Sequence, residues 1–259
     1  MKWLELCRAA RDDVSRVLDE LPTRYEREPV VGVGKGGDET TAIDAASERV
    51  ILERFAGEDV RIVSEEAGSS GDGRWTLVVD PIDGSLNAKR GIPFFSISIA
   101  VADGDTMDDV VFGYVYDFGT GEEWTAGRGT GALLNGAGLG GVRPKERIEI
   151  LSFEATLTSS VAEKAAAVVG LAYRLRIMGS LALSLCHLAA GRVDAVCSLK
   201  GARAVDIAAA QLLVRERGLA IELPEAPPFG EAPLDTEGRS RVVAAATPAV
   251  AAELFARLQ

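Results

Sequence analysis

Apolar residues at Trp3, Leu4, Leu6, Cys7, Ala10, Val14, Val17 and Leu18 recur at helical spacing and predict a helix over residues 3–20, closed by Pro22. The Gly-rich stretch VVGVGKGGDETTAID feeds a second predicted helix over about 40–56, with Ile43, Val50, Ile51 and Phe55 as its apolar positions. Val60 to Val63 reads as a short strand running into Ser64, Glu65 and Glu66. Trp75 to Val79 is apolar and β-branched enough for a strand buried on both faces, expected to stop where Asp80 and Pro81 interrupt it. FFSISIAVA and VVFGYVYD, joined by the polar turn ADGDTMDD, predict an antiparallel hairpin. A further strand at about 122–126 and the Asn135-Gly136 turn extend it into a meander.

From residue 146 the rhythm changes. A strand near 148–153, a helix near 160–170, a strand at 172–177, a helix near 180–190 and the strand Val193 to Cys197 follow one another. The Ala-rich stretch ARAVDIAAAQLLVRERG places Asp206 at the head of a helix ending near Gly218, as a cap or a ligand. After the Pro-rich loop 224–233, SRVVAAAT reads as a strand and PAVAAELFARL as a last helix. Such alternation means α/β layers. The 259 residues suit a single domain in two packed halves, about 1–145 and about 146–259.

Composition removes several function classes. With 39 acidic against 28 basic residues, the formal charge of −11 disfavours nucleic acid and anionic membranes as partners. Cys7, Cys186 and Cys197 are widely spaced and form no C-x-x-C, so they read as buried thiols. Met1 leads into an amphipathic helix rather than a leader's apolar core, and no apolar run approaches ~20 residues, so a cytoplasmic location is expected. His187 is the one histidine, which leaves carboxylates to carry the chemistry.

Those carboxylates converge on Trp75 to Ser85, WTLVVDPIDGS. Pro81 and Gly84 allow the turn to aim Asp80 and Asp83 at one point, where two like charges require a shared proton or a cation. Oxygen-only donors favour a hard ion such as Mg²⁺. A helix starting at Gly84 and Ser85 would add N–H groups for phosphate oxygens. Three other patterns are weaker. GVGKGG, Gly32 to Gly37, fits a dinucleotide loop but no clear βαβ unit follows it. Cys186 and Arg192 have the spacing of a cysteine phosphatase loop but belong to an apolar helix, and Asp103 and Asp105 sit in a hairpin turn.

Glu65-Glu66, DPIDGS, the GRGTGALLNG hairpin, RIMGSLALSLCHLAAGRVDA and ARAVDIAAA stand in an order and spacing that resembles the inositol monophosphatase superfamily over essentially the whole chain. GGDET, RGIPFFS and ARAVDIA are similar to the archaeal-type enzymes that act as both inositol-1-monophosphatase and fructose-1,6-bisphosphatase. The resemblance implies an α/β (α+β) fold, a layered αβαβα sandwich, in a homodimer. It implies two Mg²⁺ ions, held by Glu65, Asp80, the Ile82 carbonyl oxygen, Asp83 and Asp206, with Asp38 as a site for a third. Asp44 and Ser85 would orient or deprotonate the attacking water. Asp83, Gly84 and Ser85 would contact the phosphate, and Arg176, Leu181 and Lys200 the organic part, with Arg203 nearby.

The expected activity is Mg²⁺-dependent hydrolysis of a small sugar or polyol phosphate, fructose 1,6-bisphosphate, inositol 1-phosphate or both. A 3′-phosphoadenosine 5′-phosphate phosphatase and a non-catalytic regulatory binding protein on the same scaffold are the alternatives. Four departures bear on substrate: Ser152-Phe153-Glu154-Ala155 replaces a tyrosine-rich stretch, Lys200 an arginine, Ala88 an aromatic and Val205 a tryptophan. The first two put bisphosphate binding in question.

Overall fold

The computed structural model describes residues 2–35, 39–154, 157–226 and 228–259. Asp38, the Gly36-Gly37 end of the dinucleotide-like loop and Ala155 lie outside the described residues. In chain order the elements are α1 (Lys2–Glu20), α2 (Arg24–Arg27), β1 (Val30–Val33), β2 (Glu39–Thr41), α3 (Ala42–Phe55), β3 (Val60–Ser64), β4 (Gly68–Ser70), β5 (Trp75–Asp83) and α4 (Ser85–Arg90). There follow β6 (Ser96–Ala102), β7 (Val110–Asp117), β8 (Glu123–Gly127), β9 (Gly131–Leu134), β10 (Ala137–Gly138), β11 (Ile148–Glu154), α5 (Thr158–Ala165) and β12 (Ala172–Arg176). The chain closes with α6 (Leu181–Ala189), β13 (Ala195–Ser198), α7 (Ala204–Glu216), β14 (Ala220–Glu222), β15 (Val243–Ala245) and α8 (Pro248–Leu258).

Two mixed sheets and three helical layers alternate. Helices α1 and α3 cover one face of an eight-stranded sheet ordered β10-β9-β8-β7-β6-β5-β3-β4, through a core that includes Cys7, Val14, Ile51, Phe55, Val79 and Ile99. Helices α6 and α7 lie between that sheet and a five-stranded sheet ordered β12-β11-β13-β15-β14. Helix α8 covers the far face of the second sheet through Leu254 and Leu258 packed on Phe153 and Val243. This is the expected αβαβα sandwich.

The middle layer is thin because its residues are small. At Gly113 of β7 a Cβ would stand 2.4 Å from the Ala209 carbonyl oxygen, so strand and helix backbones nearly touch. The Ala208-Ala209-Ala210 run gives α7 its close seat on the sheet and brings Asp206, at its N-terminal end, over the strands. The Asn135-Gly136 turn is realised with both residues at positive φ, 51° and 78°, between paired Leu134 and Ala137. Cys186 is buried on α6 and Asp103 and Asp105 pair with Arg74 and Arg61, which removes the cysteine phosphatase and D-x-D readings.

One boundary differs. β5 does not stop at Asp80 but runs to Asp83, with a register shift between the Asp80–Ser98 and Asp83–Ser96 pairs. Pro81 is tolerated because it falls in the irregular step, where a missing N–H breaks no ladder bond.

Candidate functional site

Parallel pairing of β3 with β5 builds the first half of the site. The register Ser64 with Val79 makes Glu65 and Asp80 the next residues on neighbouring strands, and the Glu65 N–H donates to the Val79 carbonyl at 3.3 Å. The irregular step then carries the chain to Asp83, while the Ile82 N–H donates to Asp80 Oδ1 at 3.1 Å. Gly84 turns the chain at φ 91°; a Cβ there would lie 3.0 Å from the Gly179 carbonyl and 3.1 Å from that of Phe94. Glycine is required by both conformation and space. Ser85 opens α4, and its hydroxyl donates to the Ile82 carbonyl at 2.9 Å.

The second half supplies the other wall. Asp83 accepts bonds from the Ser180 hydroxyl and from the N–H groups of Leu181 (3.3 Å) and Ala182 (2.8 Å), at the start of α6. Asp206 is the third residue of α7 rather than its N-cap, which is Arg203; its Oδ2 accepts the Arg203 N–H at 2.6 Å and so closes the helix start from within the first turn. The Arg203 side chain bridges Asp206 Oδ1, at 3.0 Å, and Glu65.

Two carboxylates of α3 complete the arrangement. Asp44 Oδ2 accepts from the Thr41 N–H and hydroxyl, whereas the buried Oδ1 finds no hydrogen-bond partner among the described residues. Glu48 is buried and its Oε1 accepts from the Ser64 hydroxyl and the N–H groups of Glu66 (3.2 Å) and Ala67 (3.0 Å). It thereby clamps the backbone on both sides of Glu65.

Glu65, Asp80, Asp83 and Asp206 open into one cavity of about 320 Å³, which Asp44, Ile82, Gly84, Ser85, Leu181 and Lys200 also line. Burial is the largest influence on the acids. It pushes Glu65 up to about 7, with nearby Asp206 adding to the rise and Arg203 opposing it. Burial likewise pushes Asp83 up to about 7 against the pull of the Ser180 hydroxyl, and it raises Asp80 well above the usual range, reinforced by Glu65 and Asp83. Carboxylates so placed are held protonated or need positive charge beside them.

The donor set fits Mg²⁺ by its chemistry: all the donors are oxygens, and Asp44 Oδ1 is a buried acceptor without a donor among the described residues. Among the described residues no three Asp, Glu, His or Cys side chains are drawn into a closed cation cage, and Arg203 already bonds Glu65 and Asp206. A cation at those two oxygens must compete with the guanidinium.

Of the residues expected from sequence, Arg176 alone among the described ones stands outside the cavity. Its side chain is exposed and bonds the neighbouring Leu175 carbonyl at 2.9 Å. Its strand, β12, is the edge of the second sheet. Sequence reasoning missed Lys89, Ser198 and Arg239 on the cavity wall and Glu48 behind it, and it marked Glu154, which also lines the wall, only as a departure bearing on substrate. Glu154 ends a strand as Asp80 was expected to, so the same strand-end rule pointed to it.

Comparison with known proteins gives the same picture from another direction. A fructose-1,6-bisphosphatase/inositol-1-monophosphatase of Archaeoglobus fulgidus is 33% identical over 93% of this chain and 92% of that protein. A Nus factor SuhB of Pasteurella multocida is 36% identical over 70% of each chain. The crystal structure of an inositol monophosphatase-fructose 1,6-bisphosphatase superposes with a TM-score of 0.87 at 29% identity, covering 100% of both chains. The family model for inositol monophosphatases matches residues 3–259, and with the αβαβα layers and the strand-end carboxylates in place, this chain belongs to the inositol monophosphatase family.

Proposed function

We propose that the whole chain acts as one Mg²⁺-dependent phosphomonoesterase domain for small sugar or polyol phosphates. Inositol 1-phosphate and fructose 1,6-bisphosphate are the candidate substrates. The observation that carries this is the meeting of Glu65, Asp80, Asp83 and Asp206, from three separate segments, in one cavity beside the Gly84-Ser85 start of α4.

In this reading Glu65, Asp80, the Ile82 carbonyl, Asp83 and Asp206 hold the metal. When bound, Mg²⁺ supplies Lewis-acid polarisation of the phosphate and lowers the pKa of water. The chain's own groups do the rest. Asp44 Oδ1 accepts a hydrogen bond from the attacking water and takes up its proton, which its lack of another described partner suits. The Gly84 and Ser85 N–H groups would face the transferred phosphoryl oxygens, where negative charge is stabilised without reorganisation, and the Ser85 hydroxyl, which donates to the Ile82 carbonyl, would orient the attacking water by accepting from it. Leu181 and Lys200 bound the organic part of the substrate.

The Pasteurella relative named Nus factor SuhB supports a second reading, a regulatory binding role on this scaffold. The two are separated by phosphate release from inositol 1-phosphate with Mg²⁺ and with excess chelator. Chelator-sensitive turnover is expected, and no turnover under any condition would leave the regulatory reading standing. The exposed Val169, Tyr173 and Ile177 beside the β12 edge suit a second copy of the chain, and a homodimer is part of the proposal. Among the described residues no helix is long and apolar enough to cross a membrane.

A further inference from the structure

Ser85, Leu86 and Lys89 of α4 line the cavity, and Asn87, between them, does not. The Asn87 side-chain amide carries two N–H donors, and both are used. Nδ2 donates to the Phe94 carbonyl at 2.8 Å and to the Met178 carbonyl at 2.8 Å. Phe94 lies just before β6 of the first sheet, whereas Met178 lies in the turn between β12 and α6, 91 residues further on than Asn87. One side chain thus ties both halves of the chain to the first turn of α4.

The turn that Asn87 reaches is a wall of the cavity, lined by Gly179 and Leu181. Asp83 holds the far end of that turn, accepting from Ser180, Leu181 and Ala182, and Asn87 holds the near end at Met178. The fit is close. A Cβ on Gly179 would stand 3.0 Å from Asn87 Nδ2, and one on Gly84 would stand 3.0 Å from the Gly179 carbonyl oxygen and 3.1 Å from that of Phe94. Gly84 and Asn87 therefore meet the same two backbone segments, one by lacking a side chain and the other by bonding to them. An amide suits the place because both of its partners are acceptors; a carboxylate there would face two carbonyl oxygens.

Resting on the phosphomonoesterase reading above, we infer that Asn87 is a positioning residue: it fixes the Gly179–Leu181 wall against the Gly84-Ser85 turn, and so sets how the organic part of the ester lies relative to its phosphoryl group. Asn87 acts through that wall and touches neither substrate nor metal. In-line displacement needs the leaving oxygen opposite the attacking water, so a wall displaced by about 1 Å costs about a hundredfold in rate with every reacting group intact.

The test measures kcat and KM for inositol 1-phosphate and for methyl phosphate, whose organic part is too small to use the wall, with Mg²⁺ and with excess chelator. Wild type, Asn87→Ala and Asn87→Asp are compared, with circular dichroism to confirm folding and calorimetric titration to read Mg²⁺ affinity. Both variants lose the two donors, and Asn87→Asp keeps the side-chain shape. In each, kcat for inositol 1-phosphate should fall about a hundredfold, whereas methyl phosphate should lose no more than about threefold. Asn87→Ala should keep wild-type Mg²⁺ affinity. Equal losses on both esters, or a loss that follows Mg²⁺ affinity in Asn87→Ala, overturn the inference, since a purely structural role predicts them. Wild-type selectivity in Asn87→Ala overturns it too, because a selective loss in Asn87→Asp alone would trace to the new charge. Failure of both variants to fold also overturns it, by showing that Asn87 serves the fold. Wild type without chelator-sensitive turnover of either ester is a different failure, for it removes the phosphatase reading on which the inference rests.

Discussion

The Asp83 carboxylate accepts the Ala182 N–H at 2.8 Å, joining the turn after β5 to the first turn of α6. A residue expected from sequence only as a metal and phosphate contact is therefore also a helix cap, reinforced by the Ser180 hydroxyl. The two oxygens that accept these bonds are also the ones proposed to hold the metal, which would tie the inter-sheet helix to the site through one residue.

The consequence for Asp83→Ala is twofold. Hydrolysis should be lost, and stability should also fall by about 1–2 kcal/mol, the usual cost of replacing a helix cap by alanine. Urea unfolding of the variant in chelator isolates the second effect from any metal contribution. Stability equal to wild type would show that the Asp83–Ala182 bond contributes nothing net.

Glu48 should act as a positioning residue for Glu65. It accepts from Ser64, Glu66 and Ala67 on both sides of that carboxylate. Glu48→Ala is expected to weaken Mg²⁺ binding about tenfold, as loss of an outer partner of a metal ligand commonly does. Calorimetric titration reads this directly. Wild-type Mg²⁺ affinity in a folded Glu48→Ala protein would contradict it.

These two relationships also mark what sequence could and could not disclose. The strand Trp75 to Val79, the acids that follow it, the helix headed by Asp206 and the Asn135-Gly136 turn are local patterns, and local periodicity and turn chemistry reveal them. The continuation of β5 through Pro81 is not local, because it depends on β6 pairing on both sides of the irregular step. Nor is the clamp of Glu48 on Ser64, or the reach of Arg203 to Glu65 across 138 residues. Arg176 was placed by family position, and its exposure follows from β12 lying at the sheet edge. Glu154 was visible as a departure, but its place on the wall required the parallel pairing of β11 with β13.

The raised carboxylates predict a pH dependence of stability with a definite sign. Glu65 and Asp83, pushed up from their ordinary values to about 7, bind protons more tightly folded than unfolded. Their contribution is fully present below the unfolded pKa, near 4, and is lost as pH rises through about 7. In chelator, Tm should fall across that window, and saturating Mg²⁺ should remove most of the fall. Mg²⁺ affinity should rise over the same range, because binding releases the protons. A Tm in chelator that is flat or rising between pH 4 and 7 would contradict the assignment of these acids as buried and mutually repelling.

The most direct test of the central claim is phosphate release from inositol 1-phosphate by wild type and Asp80→Asn, each with Mg²⁺ and with excess chelator. Asp80 is 2% exposed and sits among the cavity acids, so the substitution removes a proposed ligand charge while keeping side-chain volume. The account predicts turnover by wild type with Mg²⁺ alone, and a loss of about a thousandfold or more in Asp80→Asn at equal metal. Turnover that survives chelation, or an Asp80→Asn protein as active as wild type, would place the chemistry elsewhere in the molecule.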